Sequence, residues 1–353
     1  MSESFRLDTG YQFDEIGVTN ADEINIPAFS RNIKEVLRTH VGIAQGAFQS
    51  LNHKTLLNFG LRLNYFEKFQ HFKVEPRIQF NQTLLKNLTV EVLGEQKSQT
   101  LAQIIDLQQD FLGIEKRRWA IANEETIPIQ KSNQISLGFT YENKNWLVVL
   151  DHFYKKVNGI TAGSQGFQNQ FEFIKAIGSY DIYGSEVLAQ KNFKKMDVWM
   201  SYSFNHNRYR FDSLNTGEFP NNFELMHVVS SAIIYDCKNL KIALGSRWHS
   251  GKPITMPISN TLNLDNPENP EIHYDAPNSS RTAAYLQLNF SASKAWKLNT
   301  RTAIQTSISI LNLSDKRNVI NQFYRINTND NSVAIANTYS LRRTPNLNVK
   351  ISF

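Results

Sequence analysis

Cysteine is nearly absent: Cys237 is the one such residue in 353. A lone thiol excludes an internal disulfide framework and a cysteine-rich zinc site, and it reads as a small residue near a turn. Long apolar runs are missing as well. The longest is WLVVL, Trp146 to Leu150, against the ~20 residues that a membrane-spanning helix requires. The opening stretch, MSESFRLDTGYQF, has no basic segment leading into an apolar one, so it does not read as a signal peptide. HExxH, P-loop, CxxC, GxSxG and GxGxxG patterns are all absent. His40, His53, His71, His152, His206, His227, His249 and His273 are scattered, with no pair at metal-ligand spacing. No catalytic residue, cofactor site or metal site is expected, and the chain reads as a non-enzyme. The net charge of +6 is modest for this length. No basic run interleaved with aromatics accompanies it, which speaks against nucleic acid. A mildly basic chain equally suits anionic lipid head groups.

What is present is a two-residue alternation. The last strand, PNLNVKISF, sets Leu347, Val349, Ile351 and Phe353 against Asn346, Asn348, Lys350 and Ser352. LLNFGLRLNY sets Leu57, Phe59, Leu61, Leu63 and Tyr65 against Asn58, Gly60, Arg62 and Asn64. KVEPRIQFN, ISLGFTY, MDVWMSYSF and LKIALGSRWHS repeat the pattern. Fourteen such segments are expected, at 4–17, 35–49, 54–68, 70–82, 86–97, 133–142, 145–160, 177–191, 195–210, 223–236, 239–250, 281–294, 297–312 and 338–353. Most have roughly the ten residues of a tilted membrane-spanning strand.

The connections are sorted by length. Polar turns at 51–54, 84–87, 142–145, 192–195, 236–239 and 293–296 alternate with long stretches at 18–34, 98–132, 161–176, 211–222, 251–280 and 313–337. The brief turn near Lys68 to Gln70 is the exception. Short turns at one end of the strands and long loops at the other describe an outer-membrane barrel. A soluble sandwich or propeller has no reason for that sorting. The charged and amide-rich second face would be costly in a dry core, and no blade-length repeat is present. The fold expected for 1–353 is therefore all-β, an antiparallel transmembrane barrel of about fourteen strands. One segment, 101–121, has apolar residues nearer a helical spacing and reads as a short helix in a long loop.

By alternation Arg62, Glu75, Arg77, Asp197, Lys241, Arg247 and Arg281 point to the wet side. Trp146, Tyr154, Tyr202 and Trp248 are candidates for an interfacial girdle. In the long loops Trp119, His273 and Tyr274 are candidates for touching an extracellular substrate. An outer-membrane phospholipase would place Ser and His on the outer wall, where alternation puts His152 and His206.

Five stretches, in family order, resemble the C-terminal barrel part of TonB-dependent outer-membrane receptors. They are GLRLNYFEKFQHFKVEPRIQF (Gly60–Phe80), GSEVLAQKNF (Gly184–Phe193), SGKPIT (Ser250–Thr255), SILNLSDKRNVI (Ser309–Ile320) and TPNLNVKISF (Thr344–Phe353). The resemblance implies a 22-stranded barrel, filled by an N-terminal plug, that imports a scarce extracellular small ligand such as a siderophore, metal chelate, cofactor or oligosaccharide. A TonB-type energy transducer would act on the plug, and the barrel-assembly machinery would read Phe353. The plug, the TonB-contacting segment and roughly the first third of the barrel have no counterpart here. The chain is thus expected to be the C-terminal portion of an outer-membrane barrel domain, with no plug domain. A free-standing porin-like channel of about fourteen strands is the alternative, and an outer-membrane enzyme a third.

Overall fold

A computed structural model describes residues 4–25, 28–107, 115–123, 125–165, 167, 174–260, 262, 271–299, 302–327 and 330–353. The strands are β1 (Phe5–Asn25), β2 (Ala28–Gln49), β3 (Thr55–Phe66), β4 (His71–Leu85), β5 (Leu88–Gln99), β6 (Leu101–Leu107) and β7 (Glu115–Ile121). Next come β8 (Gln130–Asn143), β9 (Trp146–Thr161), β10 (Ile177–Asn192), β11 (Met196–Arg210), β12 (Glu218–Pro220), β13 (His227–Cys237) and β14 (Leu240–His249). The last are β15 (Pro253–Ile254), β16 (Ser280–Arg281), β17 (Tyr285–Lys297), β18 (Ala303–Leu311), β19 (Val319–Asn327), β20 (Ser332–Tyr339) and β21 (Thr344–Ser352). The main sheet follows the order β1-β2-β3-β4-β5-β8-β9-β10-β11-β13-β14-β17-β18-β21, with β12 beside β11. That is the expected antiparallel meander of fourteen strands.

The chain forms two compact units. The first holds 1–138, 153–183 and 207–219; the second holds 139–152, 184–206 and 220–353. In the second unit, cross-strand register strings Val198, Ile233, Leu244, Phe290 and Ile310 into one apolar row. A row on the other face is Ser201, Ser230, Arg247 and Gln287. In the first unit, Tyr11, Gly42, Leu63 and Val74 form an apolar row, and Gln12, Val41, Asn64 and Lys73 the row behind it. Because side chains alternate strictly, this register holds every apolar row on one face. That face is open: Phe59, Leu61, Val74 and Ile78 in one unit, and Met200, Ile233, Leu244 and Leu347 in the other, are exposed.

The buried apolar clusters lie instead at the long-connection ends of strands in the first unit. Val157, Ile160, Phe167, Tyr209, Phe211 and Phe219 pack into one, and Val18, Leu37, Phe66, Phe69, Ile121 and Ala122 into another. The second cluster accounts for two departures from the sequence expectation. The expected loop at 18–34 instead continues β1 and β2, which pair from Phe5–Phe48 up to Asn25–Ala28, because Val18 and Leu37 are drawn into this core. The expected helix over 101–121 is a hairpin, β6–β7, with Leu101 opposite Ile121 and residues 108–114 outside the described residues. Burial of Ala102 and Ile121 decides its conformation against the local spacing. The connection at 313–337 likewise contains a hairpin, β19–β20.

Proline marks where a ladder ends. β4 pairs with β5 only as far as Arg77–Glu95, one residue short of Pro76, which has no N–H to give. Beyond that point Ser98 N–H donates to the Glu75 carboxylate at 2.9 Å, and the Ser98 hydroxyl donates to the same oxygen.

Two of the sequence stretches singled out above act as clasps in the second unit. In SGKPIT, Lys252 N–H donates to Thr282 Oγ1 (3.0 Å), and Thr282 N–H to the Lys252 carbonyl (2.9 Å). Between them Gly251 lies so close to the partner chain segment that a Cβ there would sit 1.7 Å from the Thr282 carbonyl oxygen. In SILNLSDKRNVI, Asn318 accepts from Leu286 N–H (2.9 Å) and donates to the Leu286 carbonyl (2.8 Å). Asn312 donates to the carbonyls of Lys316 (2.9 Å) and Leu341 (3.0 Å). Asp315 accepts from Arg342 Nε (2.8 Å) and Arg343 N–H (3.0 Å), fixing the entry to the last strand.

Gly251→Ala should therefore lower stability by about 1–3 kcal/mol or prevent folding, because backbone rather than a flexible side chain blocks the methyl. Urea unfolding in detergent micelles measures it. The side-chain bond from Arg342, and then the Arg343 N–H, hold the Asp315 carboxyl well below the usual carboxylate range. A depressed folded-state pKa stabilises above the unfolded value near ~3.9 and is lost as pH falls below it. Asp315→Asn should thus be less stable than wild type at neutral pH, and the difference should close on acidification.

Candidate functional site

Charged and amide side chains converge on the polar face. In the first unit its rows are Arg6, Ala47, Asn58, Gln79 and Leu93, then Asp8, Gln45, Gly60, Arg77 and Glu95, then Gly10, Ile43, Arg62 and Glu75. A cavity of about 450 Å³ opens on the first two rows and reaches Gln134 on β8. Gly60 gives Arg77 its room: a Cβ at 60 would meet Arg77 Cγ at 3.0 Å.

Hydrogen bonds tie most of this face together. Asn58 Nδ2 donates to Gln79 Oε1 (3.1 Å), and Gln79 Nε2 donates to Glu91 Oε2 (3.0 Å). Arg62 donates to Asn64 Oδ1 (2.9 Å) and contacts Asp14 Oδ2 at 3.4 Å. Arg6 pairs with Asp8 and Lys97 with Glu95. Arg77 stands apart: among the described residues its guanidinium has no hydrogen-bond or ion-pair partner, and it is exposed to the cavity side. Such a surface offers an open cation flanked by neutral amides. It has the donors and acceptors of a binding wall and no nucleophile–base pair.

The other sequence candidates have the following places. Glu75 is buried and serves Ser98 as described. In the second unit Asp197 is in register with Ile234, Lys241 with Asp236 and Ser293, and Arg247 with Ser230 and Gln287. Arg281 sits on β16 beside Pro253, outside the main sheet. It donates to the Gly251 carbonyl (3.1 Å) and pairs with the fully buried Glu224 carboxylate, which also lies 3.4 Å from His206 Nδ1.

Trp119 is exposed on β7, where its carbonyl accepts from Asn20 Nδ2 (2.9 Å). In the second unit His273 gives its carbonyl to Ile258 N–H (2.8 Å), and Tyr274 lies 6.3 Å from the Tyr324 ring. Trp146, Tyr154 and Trp248 are exposed, and Tyr202 bonds His227 Nδ1 at 2.9 Å. Phe353 follows β21 and is 94% exposed. His152 Nδ1 lies 2.7 Å from Ser185 Oγ. No acidic or amide group holds the other ring nitrogen of His152 among the described residues, so the contact stops at two members.

Sequence reasoning missed the roles of Glu95, which lines the cavity, of Glu91, which holds Gln79, of Gly60, which leaves room for Arg77, and of Glu224, Asn312 and Asn318. The last two lay inside a stretch noted for resemblance, and only the fold shows that their amides bond backbone.

No protein-family model matches the sequence, and no curated protein matches it. Solved structures do. The ferric yersiniabactin uptake receptor FyuA of Yersinia pestis superposes with TM-score 0.65 at 14% identity, over 100% of this chain and 52% of its own. The FrpB iron transporter of Neisseria meningitidis gives 0.66 at 11% identity, over 100% and 54%. The ferric enterobactin receptor PfeA of Pseudomonas aeruginosa gives 0.63 at 12% identity, over 99% and 51%. The chain thus has the fold of outer-membrane receptor and transporter barrels, and it spans about half the length of the structures it matches.

Truncating Glu75 to Ala should cost about 1–3 kcal/mol, because it strands the Ser98 N–H and hydroxyl. Truncating the open Arg77 to Ala should change stability by less than about 0.5 kcal/mol. Equilibrium urea unfolding of the two variants in the same detergent separates a structural carboxylate from a free cation.

Proposed function

We propose that this chain is the C-terminal portion of an outer-membrane receptor barrel of the TonB-dependent type, residing in the bacterial outer membrane. On this reading it takes part in energised uptake of a scarce small ligand, such as a siderophore, metal chelate, cofactor or oligosaccharide, and is not an enzyme. The observation that carries the reading is the two-faced sheet: an exposed apolar wall on one side and a hydrogen-bonded polar face on the other. Hydrocarbon demands that all strand backbone be paired and accepts an apolar wall without further cover. Similarity to iron and siderophore transporters supports the ligand class, and coverage of about half of those structures supports a portion of a barrel.

In this proposal the polar face, Arg77 and the cavity beside it meet a plug contributed with the N-terminal part of the barrel. The plug would couple to a TonB-type transducer. Phe353 and the alternating last strand serve the barrel-assembly machinery. The long connections of each unit carry the candidates for ligand contact, Trp119 in one and His273 and Tyr274 in the other.

Two measurements test it. Leu244→Arg, in the middle of the apolar row, should impair folding into lipid vesicles by about 2–4 kcal/mol, while Ser230→Arg on the polar face should be nearly neutral. Equal tolerance of both would remove lipid from the account. In planar bilayers the isolated chain should give no stable unitary conductance. Steady, uniform pores would replace the receptor reading with a passive channel.

A further inference from the structure

The short turns of the second unit lie side by side at one end of its strands. Asn192 N–H donates to the Asn145 carbonyl (2.9 Å), Asp236 N–H to that of Lys195 (2.8 Å), and Ala295 N–H to that of Asn239 (2.9 Å). The segments so joined, 142–145, 191–195, 236–239 and 293–299, contain seven lysines against two carboxylates, Glu142 and Asp236. None of Lys144, Lys191, Lys194, Lys195, Lys238, Lys294 and Lys297 has an ion-pair partner among the described residues. Two ion pairs of this unit, Arg281–Glu224 and Arg342–Asp315, belong to the long connections.

Two features show where these cations point. Lys191 Nζ sits 4.1 Å from the Trp146 ring centre and 5.6 Å from that of Phe193, and Lys294 Nζ 4.0 Å from that of Trp296. Trp296 continues an apolar row with Ile304 and Ile351, so Lys294 caps the apolar wall rather than the polar face. Trp146, Phe193 and Trp296 are exposed, as aromatics at a membrane–water boundary are. Secondly, Lys144 and Lys238 adopt φ of 48° and 58°, where Gly or Asn is the relaxed choice. Their charge is kept against a backbone penalty.

We propose that this rim is a docking surface for the anionic phosphate head groups of the leaflet on the short-turn side. Lysine stems lie along the last apolar side chains while their ammonium groups reach the phosphates. Together they anchor the sheet at a fixed depth and give it a preferred orientation relative to the bilayer. Separate lysines, each opposite its own lipid, suit a fluid array of head groups better than one compact anion. The inference rests on the membrane-spanning reading above.

The test uses the full-length chain, unfolded in urea and diluted into vesicles of phosphatidylcholine alone or with about 30% phosphatidylglycerol. The wild type should insert into both, and associate about tenfold more tightly with the anionic vesicles at low salt, the preference fading by about 0.5 M NaCl. Replacing Lys191, Lys194, Lys195 and Lys294 together by Gln should abolish the preference without abolishing insertion. Replacing Lys241 and Arg247 by Gln, on the polar face, should leave it intact. An unchanged preference in the fourfold variant, or none in the wild type, overturns the lipid-docking rim alone. Failure to insert into either vesicle overturns the membrane-spanning reading with it. Polyglutamate binding as tight as the anionic vesicle, lost in the same variant, would reassign the rim to an acidic protein.

Discussion

Backbone hydrogen bonding governs this molecule. Each residue other than proline brings one donor and one acceptor, and the meander pairs each inner strand on both sides without a second layer. Once the ladder is the source of order, neither face needs to be buried against protein, and the two faces can diverge in chemistry. Val198, Ile233, Leu244, Phe290 and Ile310 form one of these surfaces, and Ser201, Ser230, Arg247 and Gln287 the other. The exceptions follow the same rule. Pro76 cannot donate, and the Glu75 carboxylate takes up the Ser98 N–H nearby. Asn318 bonds both backbone groups of Leu286 where the connection leaves the sheet. Side chains enter the backbone accounting where regular pairing stops.

The same constraint explains the placement of the buried apolar clusters. Within the strands, the apolar face is open. Where strands run toward the long connections the chain must also order those connections, and there a conventional core forms. Phe167, Tyr209, Phe211 and Phe219 supply one, with ring centres 5.3–6.3 Å apart. Val18, Leu37, Phe66 and Ile121 supply another.

Much of this was legible in the sequence, because the period-two pattern and the ladder have a common cause. The fourteen-strand order could be read from alternation and from connection length, and the register sets Arg62, Arg77 and Lys241 in rows that alternate with the apolar ones. What escaped reading depends on distant contact. Nothing local in 101–121 says that Leu101 will meet Ile121 above Leu37 and Phe66, so apolar spacing suggested a helix where tertiary burial selects a hairpin. The upward extension of β1 and β2 was hidden for the same reason. The open state of Arg77 was also invisible, since it depends on Gly60 one strand away and on Glu95 being taken by Lys97.

The asymmetry between strand ends carries the physical reading furthest. At the long-connection end of the second unit Arg317 and Arg325 lie over the rings of Tyr339 and Phe323, while the buried Glu224 carboxylate meets Arg281, and Asp315 meets Arg342. Such pairing lets charged groups sit in folded loops without a net field. At the short-turn end, Lys191 and Lys294 stand over Trp146 and Trp296 with no ion-pair partner among the described residues. Fold stability alone would favour neutral Asn or Gly in turns at positive φ, and Lys144 and Lys238 occupy those positions instead. A concentration of unmatched like charge raises the energy of the free chain and is relieved only by an external counter-charge. The apolar wall ends at this same rim, so on the proposed membrane-spanning reading one lipid leaflet would both cover the wall and neutralise the rim.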